Sequence, residues 1–199
     1  DGTFKKAMDF DEFMEICQRK NIKPLIVINI LSHKYTNGPT YAKLKETAVE
    51  WVKYAKLKNY NVAYWQIGNE VDHNHNKAIL TQAEYVQLYI DFAGAMKAAD
   101  PTIKCGPGLI DNVNYYNNIV DGSFTDTSVN PNVTYNGINT IDFTSAHQYL
   151  FQWEGNETFS DYDEWLAHNG RDLNPFVRKM QNAVNNRGLN TPILITETN

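Results

Sequence analysis

Two glutamates each close a short β-like run: Glu70 ends Val62-Ala-Tyr-Trp-Gln-Ile-Gly-Asn-Glu70, and Glu197 ends Pro192-Ile-Leu-Ile-Thr-Glu197. Paired carboxyls at the ends of parallel strands suit glycoside hydrolysis. One protonates the leaving oxygen while the other attacks, or stabilises, the oxocarbenium-like carbon left behind. In the retaining version the carboxyls stand about 5 to 5.5 Å apart and repel each other, so one of them keeps its proton. The protonated carboxyl is then the donor and the ionised one the nucleophile, after which the donor acts as base on the water that releases the glycosyl-enzyme. The plainer alternative is two surface carboxylates that merely follow strands.

The elements that must position this pair alternate regularly. Asp9 with Glu12 forms a capping box ahead of a helix to Lys20, and Pro24 to Ile30 is an apolar run too short for a helix. Such a run reads as a strand buried on both faces of a parallel sheet. A helix from Thr40 or Tyr41 to about Lys58, with Leu44, Ala48, Trp51, Val52 and Ala55 at helical spacing, precedes a strand over Val62 to Ile67. A second capping box, Thr81 with Glu84, opens a helix to about Ala99 that Asp100-Pro101 stops, and a strand follows over Ile103 to Gly106. A short helix near Asn112 to Val120 leads into an Asn/Thr/Ser-rich loop and a strand over Ile141 to His147. The last helix, about Asn174 to Asn186, ends at Gly188 as its C-cap and leads to the strand over Pro192 to Glu197.

Strands separated by helices of this length form parallel crossovers, in a doubly wound sheet or a (β/α)8 barrel. Polar residues gather where strands end: Asn29, Asn69 with Glu70, His147 with Tyr149, and Glu197. That is where a barrel keeps its chemistry. No Gly-x-Gly-x-x-Gly turn follows a strand, so the nucleotide-binding alternative lacks its phosphate cradle.

Composition excludes some classes. The 199 residues carry a net charge of -5 and show no basic stripe, so neither nucleic acid nor an anionic membrane is an expected partner. Aromatics reach 13%, which suits both sugar stacking and an ordinary core. Cys17 and Cys105 read as two buried thiols rather than a disulfide or metal pair. Asn132 and Asn156 match glycosylation acceptor patterns; the compartment stays open, with a secreted or periplasmic one favoured.

Trp65-Gln-Ile-Gly-Asn-Glu70 resembles the Trp-Glu-Ile-Gly-Asn-Glu segment of clan A retaining glycoside hydrolases, arabinofuranosidase and xylosidase-like enzymes with (β/α)8 barrels. The resemblance implies that Glu70 is the acid/base, that Asn69 bonds the sugar 2-hydroxyl, and that Ile195-Thr-Glu197 is the nucleophile strand. It also implies that His147 lines the subsite and Tyr149 orients the nucleophile. Gln66 replaces a Glu common in these families, at a position expected to point away from the site. The likeness covers strands three to seven of eight, so the fold expected is a single partial TIM barrel over residues 1–199. Its substrates would be plant or algal polysaccharides or oligosaccharides.

Asn29 and Trp153 are further substrate-binding candidates, Trp153 as a stacking platform and His33 as a rim residue. Asp72-His73-Asn74-His75 offers a His-x-His pair beside a carboxylate, but no third ligand lies at metal spacing, so a polar rim loop is expected and no metal or other cofactor. The chain starts at Asp1-Gly-Thr and stops two residues past Glu197, so it reads as part of something longer. Another chain or a missing segment would then complete the barrel. A non-catalytic carbohydrate-binding or scaffolding barrel fragment is the second functional reading, and a doubly wound binding protein the third.

Overall fold

The computed structural model describes residues 8–126, 133–148 and 175–198. Tyr149, Trp153, Asn132 and Asn156 lie outside the described residues. In chain order the elements are α1 (Phe10–Lys20), β1 (Leu25–Ile28), α2 (Tyr41–Leu57), β2 (Tyr64–Ile67), α3 (Asn74–Lys77), α4 (Gln82–Ala99), β3 (Lys104–Pro107), α5 (Val113–Asp121), β4 (Ser123–Asp126), β5 (Val133–Asn136), β6 (Thr144–Gln148), α6 (Pro175–Asn186) and β7 (Ile193–Thr198). Both capping boxes form: Asp9 accepts from the Glu12 amide at 2.9 Å, and Thr81 Oγ1 accepts from the Glu84 amide at 3.3 Å. Each helix start is therefore fixed by residues whose side chains replace missing intrahelical partners.

Strands β1, β2 and β3 pair in parallel, as do β6 and β7. Between β3 and β6 the backbone ladder is incomplete. The Asp142 amide donates to Cys105 O at 2.8 Å and the His147 amide to Ile110 O at 3.1 Å. In the gap, Ser145 Oγ accepts from the Leu109 amide at 2.6 Å and lies 2.8 Å from the carbonyls of Pro107 and Leu109. The order is thus β1, β2, β3, β6, β7: a partial (β/α)8 barrel, as the sequence pattern anticipated.

Register decides which side chains face the helices. Ile26, Trp65 and Cys105 are partners across the three strands, as are Ile28, Ile67 and Pro107, and all of these are buried. The opposite face carries Val27, Gln66 and Gly106. At the β1 end this second face is open, with Val27 50% exposed. Both cysteines are buried free thiols, and burial pushes Cys105 up to about 12.

Two expectations need correcting. The Asn/Thr/Ser-rich stretch contains the antiparallel pair β4–β5, whose Tyr135 ring sits so close to α4 that a Cβ on Gly94 would lie 2.2 Å from it. Short strands of mixed polar residues carry little periodic signal. Trp51, read as part of the buried stripe of α2, is 40% exposed and packs on Phe10 with ring centroids 4.9 Å apart. The buried position beside that stripe belongs instead to Lys45, whose Nζ donates to Asp91 at 3.0 Å and Asp126 at 3.2 Å. Tyr41 OH also donates to Asp91, at 2.7 Å. Among the described residues no helix is long and apolar enough to cross a membrane.

Candidate active site

Past the end of β2 the chain turns sharply. Gly68 has φ 78° and Glu70 φ 46°, both in the left-handed region. A non-glycine residue there costs on the order of 1 kcal/mol and persists only where its surroundings impose it. At Glu70 they do. The carbonyl of Glu70 accepts from the His73 amide at 2.9 Å and from Asn76 Nδ2 at 2.9 Å, and Asn76 Nδ2 also reaches the Asn69 carbonyl at 3.3 Å. Gly108, just past β3, packs against the same turn: a Cβ on it would stand 2.2 Å from Gly68 O.

Asp72 anchors this turn to the next one. Its buried carboxylate accepts from the backbone amides of Ile110, Asp111 and Asn112 at 2.9, 3.2 and 3.0 Å. His73 caps α3, its Nδ1 accepting from the His75 amide at 3.3 Å. The His-x-His stretch is thus structural, with its neighbouring carboxylate already filled by amides.

Glu70 and Glu197 converge on His147. Nδ1 of His147, a fully buried β6 residue, lies 3.0 Å from Glu70 Oε1 and 3.5 Å from Glu197 Oε2. One oxygen of each carboxylate and a ring nitrogen of His147 lie within 4.8 Å of one another. Since an ionised carboxylate only accepts, a proton on Nδ1 or on Glu70 must lie in the short contact. The two carboxylate side chains are 30% and 32% exposed, so a ligand can reach them while His147 backs them from below. A register shift makes the meeting possible. Ala146 pairs with Ile195 but His147 pairs with Glu197, so Thr196 is an extra residue that re-aims the strand end.

Asn69 belongs to the same cluster. Its Nδ2 donates to Glu197 Oε1 at 3.0 Å, and its Oδ1 accepts from Gln66 Nε2 at 3.0 Å. Gln66, expected to point away, lies instead on the face opposite Trp65 and Ile67 and reaches into the site. Asn29 is brought into a local turn, its Oδ1 accepting from the Leu31 and Ser32 amides at 3.1 and 3.2 Å and its Nδ2 donating to Ser32 Oγ at 2.5 Å. No hydrogen bond links Asn29 to Glu70 or Glu197 among the described residues. His33 packs edge-on to Tyr41, with centroids 5.5 Å apart. Among the described residues, Glu70, His147 and Glu197 are also the trio that could hold a metal ion.

The family described as Glycosyl hydrolases family 39 matches residues 42–199, which include the whole of this cluster. The chain belongs to glycosyl hydrolase family 39. This family 39 chain is 28% identical over 163 residues to a probable alpha-L-arabinofuranosidase C of Aspergillus clavatus, an alignment covering 74% of the chain and 30% of the relative. It is 25% identical over 182 residues to an intracellular exo-alpha-(1->5)-L-arabinofuranosidase of Acetivibrio thermocellus, covering 85% of the chain and 32% of the relative. A family 39 β-xylosidase structure from Caulobacter crescentus superposes with TM-score 0.62 at 18% identity, covering 95% of the chain and 40% of that structure. An alpha-L-arabinofuranosidase from Thermotoga maritima in complex with arabinose gives TM-score 0.57 at 24% identity, covering 95% and 37%. The chain spans about a third of the length of the curated relatives it matches.

Sequence reading passed over Asp72 as an amide acceptor, Asn76, Gly108 and Ser145, and it turned Gln66 the wrong way. For Gln66 a signal was present: period-two alternation puts it opposite two large apolar residues that must face the helices. The others act through contacts distant in sequence and leave no local pattern.

Proposed function

We propose that the polypeptide carrying this chain is a retaining glycoside hydrolase acting on arabinosides or xylosides of plant or algal poly- and oligosaccharides. Glu197 attacks the anomeric carbon, and Glu70 protonates the departing oxygen. Glu70 then takes a proton from the water that cleaves the glycosyl-enzyme. Asn69 hydrogen-bonds both Glu197 and the sugar 2-hydroxyl, His147 holds the carboxylate pair from beneath, and Tyr149 and Trp153 are proposed to border the bound sugar. The observation that carries the reading is the approach of the two carboxylates, with oxygens within 4.8 Å through His147. Inverting enzymes space their carboxyls about 6.5 to 9.5 Å apart to admit a water. The sugar class rests on the names of the arabinofuranosidase and xylosidase relatives.

The half-exposed Val27 lies on a sheet face that a complete barrel encloses. We propose that additional strands, from a longer polypeptide or another chain, cover this face and supply the remaining subsites. Residues 1–199 alone are then expected to hydrolyse glycosides weakly or not at all.

Trapping tests the function. A 2-deoxy-2-fluoro arabinofuranoside or xyloside with a good leaving group, given to the whole polypeptide, should leave one sugar esterified to the peptide containing Glu197. Proton NMR should show the first product with the anomeric configuration of the substrate. Product of inverted configuration, or a label on another residue, would overturn the mechanism. Sugar binding with neither label nor turnover would favour the non-catalytic reading.

A further inference from the structure

We propose that Gln66 is a positioning residue: it fixes which way round the Asn69 amide stands, so that Asn69 gives Glu197 a hydrogen bond instead of facing it with an oxygen. The inference rests on the role proposed above for Glu197. It concerns a residue whose hydrogen bonds, among the described residues, go to Gly68 and Asn69 and not to either carboxylate.

The polarity of the relay follows from one backbone group. Gln66 Nε2 lies 3.0 Å from Gly68 O, and a carbonyl can only accept. The end of the Gln66 amide aimed there must therefore be its NH2. The same NH2 lies 3.0 Å from Asn69, so the Asn69 atom facing it is the oxygen Oδ1. That leaves Asn69 Nδ2 on the other side, 3.0 Å from Glu197 Oε1. With the opposite amide orientation, an oxygen of Asn69 would face a carboxylate oxygen. Two acceptors at that distance repel.

Burial makes the relay rigid. Gln66 is 1% exposed, so water does not compete for its donors. Its Oε1 is buried with no hydrogen-bond partner among the described residues. A glutamine retained only to fill space would be matched or exceeded by an apolar residue of its size, which leaves no orphaned oxygen. What glutamine supplies here is a two-hydrogen donor placed between a backbone carbonyl and Asn69. Both carboxylates stand beside His147, but the hydrogen bond from Asn69 goes to Glu197, so this relay acts on that member of the pair.

The test uses the whole active polypeptide with Gln66→Met and Gln66→Glu. Gln66→Met removes the donor at similar volume, and kcat should fall roughly tenfold with KM little changed, the loss of about one oriented hydrogen bond. Because the nucleophile is affected rather than the acid, dinitrophenyl and poor-leaving-group glycosides should lose equally in kcat/KM. Gln66→Glu introduces a carboxyl that donates to Asn69 only while protonated. Its activity should exceed that of Gln66→Met at low pH and fall below it as pH rises, so the alkaline limb of its profile moves to lower pH.

Wild-type kcat and an unmoved pH profile in both variants would overturn the inference, even if their melting temperatures drop, since that is a packing role alone. Should a variant fail to fold, side-chain amide NMR of the wild type decides. Slow exchange of the Gln66 Nε2 hydrogens, with Asn69 Nδ2 hydrogens that shift as the carboxylates titrate, is expected; rapid exchange at both overturns it. If the fluoro sugar labels a residue other than Glu197, the proposed function fails first. If Glu197 is labelled and both variants behave as wild type, only the positioning role fails.

Discussion

Two polar clusters in this chain share ingredients, two carboxylates around a nitrogen, yet they are sealed to different degrees. In the helix layer, Lys45 lies between Asp91 and Asp126 with Tyr41 donating to Asp91, and the three charged side chains are 8%, 0% and 5% exposed. At the sheet's end, Glu70 and Glu197 meet neutral donors or an imidazole and remain about a third exposed. Burial pushes Asp91 above the ordinary carboxylate range despite Lys45 and Tyr41. It also opposes the charge on Lys45, which Asp91 and Asp126 nevertheless hold above the usual lysine value. One cluster sets a cation between its carboxylates and is sealed from water. The other keeps carboxylates close, oriented and reachable, which is what a proton donor and a nucleophile require.

The largest separation of the two clusters comes from Glu197→Ala. Turnover by the whole polypeptide should fall about 10⁴-fold or more, while thermal unfolding shifts little. Azide should restore some activity, with product of inverted configuration seen by NMR. Glu70→Ala comes next: hydrolysis of poor leaving groups should drop about 10²- to 10⁴-fold, and dinitrophenyl glycosides, whose departure needs no proton, should be spared in the glycosylation step. Equal loss on both substrate types would remove Glu70 from the acid role.

Lys45→Met should do the reverse, sparing the chemistry and striking stability. Two buried carboxylates left without their cation cost about 3 to 5 kcal/mol, read as a lower midpoint in urea. The sign with pH follows from Asp91. A carboxyl held above its unfolded value of 3.8 destabilises the fold progressively as pH rises from 3.8 through its folded value. Without Lys45 that window widens upward, so acidification from neutral pH should recover part of the variant's loss. A variant whose deficit is the same at pH 5 and pH 8 would contradict this account.

Smaller effects probe how the site's backbone is held. Gly108→Ala forces a methyl against Gly68 O and should cost about 1 to 3 kcal/mol, with kcat reduced because Asn69 shifts with the turn. Thr81→Ala removes a cap far from the chemistry and should cost about 1 kcal/mol with no change in kcat.

Much of this arrangement was legible because it is local. Capping boxes, apolar runs and the Pro101 stop each act within a few residues, and they located the five parallel strands and the helices between them. Glu70 and Glu197 were legible through the Asn-Glu and Thr-Glu strand ends, whose convergence on His147 followed from parallel topology. What stayed hidden depends on contacts across the sequence: Asn76 holding the Glu70 carbonyl, Asp72 gathering three amides, Lys45 buried through Asp126, a partner 81 residues away. The β4–β5 pair was missed because its strands are short and polar, and the fit of Tyr135 on Gly94 joins positions distant in sequence. Gln66 was misjudged from its family likeness when the strand's own alternation pointed the other way.

The seam between β3 and β6 gives the molecule a mechanical property. Glu70 belongs to the three-stranded block and Glu197 to the two-stranded one, so the gap between them is measured across a joint where Ser145's hydroxyl stands in for rungs of the ladder. The Asp142 and His147 amides and the Asn69 bond to Glu197 cross the same seam, so the two blocks are joined by scattered bonds rather than by a continuous ladder. In glycoside hydrolases the stereochemical outcome depends on such a gap. Under the proposed function, the Ser145 hydroxyl is therefore a spacer that bears on the gap between the carboxylates while touching neither of them.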